Sequence, residues 1–163
     1  MTSVLTVNDI GHEVLAAFLE RYGLELVVQA TGEDITGSFW GESEAGVVGH
    51  TVYVRGDTPV HSFLHETCHI VCMDSQRRTG LDRDAGGDDL EESAVCFLQV
   101  LLADHIEGVG RARIMSDMDS WGYSFRLGRT RDWFETDAED ARNFLLVHAL
   151  IDETSEPTFV LRS

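Results

Sequence analysis

The chain has 163 residues, 43% hydrophobic and 25% charged, a composition typical of one compact domain spanning residues 1–163. It carries 29 acidic residues against 12 basic ones, a formal charge of −17, and every basic residue is an arginine. This balance argues against binding to nucleic acids or anionic membranes, because both are recognised through basic patches. No apolar run approaches the ~20 residues that span a bilayer.

The three cysteines and the first residues of the chain bear on its compartment. Cys68, Cys72 and Cys96 lie inside apolar stretches and are an odd number, which favours free buried thiols in a reducing environment. The first thirteen residues lack the basic and apolar regions of a secretory signal. We therefore expect a cytoplasmic protein, and the oligomeric state is left open.

The first third of the chain predicts one helix and a small sheet. Residues from about Asp9 to Tyr22 have apolar side chains at fourfold spacing, which indicates a helix that Gly23 ends. Three short β-rich runs follow, separated by turn-prone segments: Leu24–Ala30, Ile35–Trp40 and Val47–Val54.

The rest of the chain predicts further helices. Thr58 as N-cap and Pro59 at the first helical position indicate a helix that runs to about Met73 and is apolar almost all round. Other predicted elements are a loop at 74–89, a helix from about Leu90 to Ile106, a polar-aromatic loop Asp119–Arg131, a helix from about Asp137 to Ile151 and a short terminal strand Thr158–Arg162. The expected fold class is α+β with a small mixed sheet.

An H-E-x-x-H motif lies in the middle of the predicted buried helix, at residues 65–69. His69 is one turn along from His65 and only ~40° round, so both imidazoles project from one face and can reach a single metal ion. Glu66 lies off that stripe, close enough to take a proton from a metal-activated water and pass it to a leaving amine.

The competing interpretation is a pair of structural histidines with an incidental glutamate. Such a cluster inside an apolar helix would leave costly polar groups buried unless something paired with them. This context favours a metal site.

A His₂ site needs a third protein ligand, and the candidates are Glu91 and Glu92 at the start of the next predicted helix. Glu91 shares its face with an apolar stripe, whereas Glu92 shares its face with the more mixed set of Cys96 and Gln99. A glutamate that heads a buried stripe needs a partner, so we prefer Glu91 and keep Glu92 as the alternative. For either residue, the ordinary explanation is a first-turn acid favoured by the helix dipole.

These residues resemble the gluzincin branch of the zincin metallopeptidases, and in pattern they are most similar to ImmA/IrrE-type peptidases. Glu91, Ala94 and Phe97 fit the spacing of the second metal-binding helix in that branch. Segments 38–69 and 89–102 carry the resemblance. It implies a minimal zincin fold: an N-terminal helix, the sheet, the metal helix, the glutamate helix and a C-terminal helical segment.

By the same resemblance, His65, His69 and Glu91 are expected to be Zn²⁺ ligands and Glu66 the general base. Peptidases of this kind also need a donor that stabilises the oxyanion. Tyr123 is our first choice, and Tyr53 and His50 are alternatives.

The expected function is hydrolysis of peptide bonds in a peptide or protein substrate by a zinc metallopeptidase. The substrate would lie along an exposed sheet edge, for which we choose Gly37–Trp40. The acidic charge favours basic or unfolded segments. The alternative function is a non-catalytic zincin-fold module that binds metal and serves regulation or protein interaction. Val95 favours this alternative, since it stands where related families often place Asp or Asn after the ligand glutamate.

Overall fold

The computed structural model describes residues 3–38, 43–82, 85–125 and 128–163. Within these ranges the chain forms eight helices and a mixed sheet of three strands, which confirms the expected α+β class. In chain order the elements are α1 (Val7–Ile10), α2 (His12–Glu20), β1 (Glu25–Gln29), β2 (Gly46–Val48), β3 (Thr51–Arg55), α3 (Val60–Cys72), α4 (Ser75–Thr79), α5 (Asp89–Ala103), α6 (Arg111–Trp121), α7 (Thr130–Thr136) and α8 (Glu139–Val147).

The predicted N-terminal helix is divided into α1 and α2 at Gly11. This glycine has φ +98°, a backbone conformation that other residues rarely adopt, and it ends one helix and begins the next. Helix α1 begins at Val7, two residues before the predicted start at Asp9. The Asp9 carboxylate accepts a hydrogen bond from the backbone N–H of Thr6 (2.9 Å), which places it at the third helical position.

The sheet has the order β1-β3-β2, with β1 parallel and β2 antiparallel to β3. The predicted strand Val47–Val54 is in fact the β2–β3 hairpin, because the chain reverses at Gly49, which has φ +58°. The prediction of one long strand was therefore wrong, although Leu24–Ala30 encloses β1 as expected.

The second predicted strand, Ile35–Trp40, is not a strand over residues 35–38, and residues 39–40 lie outside the described ranges. Gly37 has φ +70°, and its carbonyl accepts a hydrogen bond from the N–H of Val47 (3.0 Å). The chain at Gly37 therefore turns beside β2. The described part of Gly37–Trp40 offers no strand edge to a substrate.

Helix α3 runs through the hydrophobic core and is buried along almost its whole length. It packs against β2, β3 and α5, and α5 packs in turn against α8. Its start is shifted by one residue from the prediction, because the Thr58 hydroxyl accepts a hydrogen bond from Arg55 N–H and Pro59 takes the N-cap position. The burial of α3 makes the two histidines and the glutamate of the motif stand out.

Helix α5 begins as predicted, with the side chain of Asp88 accepting a hydrogen bond from the N–H of Glu91 (2.8 Å). The C-terminal third differs more. Helix α6 ends at Trp121, inside the predicted loop Asp119–Arg131, and α7 begins at Thr130. The terminal segment Thr158–Arg162 is not a strand, although Arg162 N–H donates to the carbonyl of Val71 (3.0 Å).

Candidate metal centre

The candidate site lies where the middle of α3 faces the first turns of α5. His65 and His69 project from α3 and Glu92 projects from α5, and their ligand atoms form one group. Nε2 of His65 is 3.0 Å from Oε1 of Glu92, Nε2 of His69 is 3.2 Å from the same oxygen, and the two nitrogens are 3.2 Å apart.

These three distances fit a tetrahedral metal site. Donor atoms at ~2.0–2.1 Å from a tetrahedral Zn²⁺ are about 3.3 Å from one another. The three observed separations are close to that value, so one ion can reach all three atoms and keep a fourth position open. Metals that prefer nitrogen and carboxylate donors therefore fit this set.

The hydrogen bonds of His65 direct its Nε2 toward the ligand group. Gln99 donates from Nε2 to the carbonyl oxygen of His61 (2.8 Å), which can only accept, so the amide orientation of Gln99 is fixed. Its Oε1 therefore accepts from Nδ1 of His65 (3.0 Å). Although burial lowers the pKa of His65, contacts with Tyr123, Cys96 and Glu92 raise it well above its usual value, so without a metal ion Nε2 carries a proton that faces the Glu92 carboxylate. A metal ion bound at Nε2 would replace that proton.

Glu92, and not Glu91, is the carboxylate that the fold brings to the histidines. Although burial opposes its ionisation, hydrogen bonds with His65 and His69 hold the pKa of Glu92 well below its usual value. The preference for Glu91 is corrected, because Glu91 points to the other side of α5. There its two oxygens accept hydrogen bonds from the guanidinium of Arg77 at 2.7 and 2.9 Å.

His69 has an unsatisfied polar atom. Its side chain is only 5% exposed, and Nδ1 has no hydrogen-bond partner among the described residues. Its other nitrogen, Nε2, is the atom in the ligand group. A metal ion at Nε2 would leave the proton on Nδ1.

Glu66 lies beside this group without belonging to it. It is 8% exposed and lines a cavity of about 460 Å³ together with His65 and Glu92. Burial raises the pKa of the Glu66 carboxyl, and the neighbouring histidines only partly offset this effect. A carboxyl group with a raised pKa next to a candidate metal position is suited to accept and return a proton.

Tyr123, which the sequence predicts as an oxyanion donor, does reach the cavity. Its ring centroid is 5.7 Å from that of His65, and its hydroxyl is 3.2 Å from Nδ1 of His61 and 3.3 Å from Nε2 of Gln99. Burial raises the pKa of Tyr123 to about 12, so the hydroxyl keeps its proton. The alternatives Tyr53 and His50 are not among the described residues that line the cavity.

Three further residues of the cavity wall, Glu44, Ser62 and Trp121, play no part in the predictions from the sequence. Glu44 precedes β2 and accepts hydrogen bonds from Nε1 of Trp121 (2.9 Å) and from the hydroxyl of Ser62. His61 is 1% exposed, and burial lowers its pKa to about 3, so its imidazole is neutral. Glu44, the pair His61–Ser62 and Trp121 come from three different parts of the chain, and only the fold brings them together.

One signal in the sequence did point to this site. Cys96 and Gln99 made the Glu92 face of α5 look mixed in polarity, and that face is the one that meets the histidines. All three cysteines are buried free thiols, as expected.

The sequence matches no known family, and neither the curated proteins nor the solved structures contain a significant match. Among the described residues, no helix is both long and apolar enough to cross a membrane.

Proposed function

We propose that this protein is a zinc-dependent metallopeptidase that hydrolyses peptide bonds. The observation that carries the proposal is the buried carboxyl of Glu66, which shares a cavity with His65 and Glu92 but is not one of the three grouped ligands. A site that only binds metal for stability has no use for such a group. The resemblance of the H-E-x-x-H motif to that of zincin metallopeptidases supports the same function.

In the proposed mechanism each residue has a separate task. His65, His69 and Glu92 hold the metal, and bound Zn²⁺ supplies Lewis acidity toward water and the scissile carbonyl. Glu66 accepts a proton from the attacking water and returns it to the leaving amine. Tyr123 is the proposed donor to the oxyanion, supported by its position in the cavity wall next to His65. In that role its single hydroxyl proton would turn from Nδ1 of His61 to the oxyanion.

The charge of the cavity favours a basic substrate segment. Glu44, Glu66 and Glu92 line it, and none of its described lining residues is an arginine. The chain as a whole carries a formal charge of −17. We therefore propose peptides with basic residues near the scissile bond, in a cytoplasmic setting, as the first substrates to test.

The test is a pair of measurements on wild-type protein and on Glu66→Gln. We expect near one Zn²⁺ per chain in both, measured by elemental mass spectrometry. We expect the variant to lose ~10²–10⁴-fold or more of the cleavage rate on a peptide library rich in arginine and lysine, since that is the usual contribution of a general base. Undiminished cleavage by the variant would exclude the role of Glu66. Stoichiometric zinc without cleavage of any peptide would favour the non-catalytic metal-binding module.

A further inference from the structure

Gln99 stands out as a fully buried polar side chain next to the candidate metal centre. It lies on α5, two turns beyond Glu92, and is 0% exposed. Its amide makes three hydrogen bonds, all of them to groups on or facing the cavity wall: His65, the backbone carbonyl of His61 and the hydroxyl of Tyr123. A buried amide that is fully satisfied in this way rigidifies what it touches.

The oxygen of this amide acts on His65. The carbonyl of His61 takes one N–H of Gln99, so Oε1 must face Nδ1 of His65 and accept its proton. The other nitrogen of His65 then points to Glu92 and His69. A metal-binding imidazole needs this arrangement, with one nitrogen protonated and hydrogen-bonded and the other free.

The nitrogen of the same amide acts on His61 through Tyr123. Because Gln99 donates to the Tyr123 oxygen, the hydroxyl proton of Tyr123 is free to go to Nδ1 of His61, 3.2 Å away. His61 would then carry its own proton on Nε2. The opposite arrangement, with Nδ1–H donating to Tyr123, leaves both the tyrosine proton and the bare Nε2 without described partners. The first arrangement leaves one unsatisfied group and the second leaves two, so the first is favoured.

We propose that Gln99 is the positioning residue of the metal centre, and that its single amide sets the tautomers of both His65 and His61. The inference that His65 is prepared for metal rests on the metal site of the proposed function. The tautomer of His61 does not, because it follows from hydrogen bonds that involve no metal and no substrate.

Three variants distinguish the role of the amide oxygen of Gln99 from the role of its nitrogen. Gln99→Met removes both the acceptor and the donor while keeping an unbranched side chain of similar length. Gln99→Glu keeps an acceptor for His65. Tyr123→Phe removes only the hydroxyl that reaches His61. Urea unfolding of each variant, in the presence of a chelator, shows whether the fold is retained.

The measurements are the Zn²⁺ dissociation constant, from competition with a chelating dye, and long-range ¹H–¹⁵N spectra of ¹⁵N-histidine-labelled protein. We expect Gln99→Met to weaken Zn²⁺ binding ~10–100-fold, as loss of a partner that orients a ligand does. We expect Gln99→Glu to bind within about threefold of wild type, because the oxygen that orients His65 remains. Tyr123→Phe should bind Zn²⁺ like wild type and lose the single His61 tautomer.

The spectra of wild-type protein test the predicted tautomer of His61 directly. The proposal requires His61 to be protonated at Nε2, with or without Zn²⁺. A His61 protonated at Nδ1, or a Gln99→Met variant that binds Zn²⁺ as tightly as wild type, would overturn it. If Gln99→Met does not fold, the other two variants and the wild-type spectra still decide. None of these measurements uses a substrate, so a failure to find peptide cleavage leaves this result intact.

Discussion

Glu91 and Glu92 are neighbours in the sequence but lie in opposite environments. Glu91 is 5% exposed and forms an ion pair with Arg77. A second guanidinium, that of Arg162, lies 3.5 Å from one of the Glu91 oxygens. Glu92 is 43% exposed and faces two imidazoles, those of His65 and His69. One carboxylate is therefore paired with guanidinium groups, whereas the other is paired with side chains that can also bind a metal ion.

This difference shows why burial alone is a poor guide to metal ligands. A buried carboxylate needs a counter-charge, and an arginine supplies it as well as a metal does. Glu91 heads the apolar stripe of α5 and is satisfied by Arg77 from α4. The residue to look for is the carboxylate whose partners are imidazoles and not guanidinium groups, and here that residue is Glu92.

The largest expected effect distinguishes the two glutamates by metal binding. We expect Glu92→Ala to lose Zn²⁺ by more than the ~10–100-fold that removal of an outer partner costs, since a ligand atom itself is lost. Glu91→Ala should keep near one Zn²⁺ per chain. Elemental mass spectrometry after dialysis against a weak chelator measures both. If Glu91→Ala lost zinc and Glu92→Ala retained it, Glu91 and not Glu92 would be the metal ligand.

The next effect distinguishes the two glutamates by stability. We expect Glu91→Ala to lower the free energy of unfolding by about 2 kcal/mol in metal-free protein, because Arg77 is left without its carboxylate. This is less than the ~3–5 kcal/mol for a fully buried pair, since 37% of the Arg77 side chain is exposed. Urea unfolding measures the loss.

Glu92→Ala is the matched control for that measurement. In the presence of a chelator it should change the free energy of unfolding by less than Glu91→Ala does, because Glu92 is much more exposed. Equal losses in the two variants would mean that the Arg77 pair does not stabilise the fold.

The sequence predicted the main helices and the motif but not the partner of each polar side chain. The ends of α3 and α5 are within about three residues of the predictions, because caps and apolar periodicity are local properties of the chain. The choice between Glu91 and Glu92 depends on Arg77, which contacts Glu91 although it lies fourteen residues earlier in the sequence. No local pattern encodes such a contact.

The same reasoning explains the errors in the sheet. The run Val47–Val54 is rich in strand-forming residues on both sides of Gly49, and the chain reverses at the positive φ of Gly49 to form β2 and β3. The wall of the cavity was not predicted either, because it depends on contacts between distant parts of the chain. Glu44, Ser62 and Trp121 are unremarkable in the sequence and meet only in the folded chain.

A smaller effect concerns the space around the Glu91–Arg77 pair. A Cβ atom at Gly87 would overlap the carboxylate of Glu91, so Gly87→Ala must displace that side chain. We expect a loss of about 1–2 kcal/mol, typical of overpacking at a site that yields in part. Thermal and urea unfolding measure it.

Gly80→Ala is the control for Gly87→Ala. A Cβ atom at Gly80 would lie 4.0 Å from the carbonyl oxygen of Arg77, an ordinary contact distance, and the φ of Gly80 is −94°. It should be neutral, or stabilise the fold by ~0.4–1 kcal/mol through the unfolded chain. A neutral Gly87→Ala would show that the pair has more room than the structure gives it.

The smallest effect tests how α5 presents both glutamates. The Asp88 side chain caps α5 by accepting a hydrogen bond from the N–H of Glu91. We expect Asp88→Ala to lower the free energy of unfolding by about 1 kcal/mol, the usual value for a lost N-cap. Asp88→Asn keeps an acceptor and should cost less. Because the cap fixes the first turn, from which Glu91 and Glu92 point to different faces of α5, Asp88→Ala should also weaken Zn²⁺ binding. Asp74→Ala, which removes the equivalent cap of α4, should not. Equal Zn²⁺ affinity in the two alanine variants would mean that the packing of α5 against α3 suffices to place Glu92.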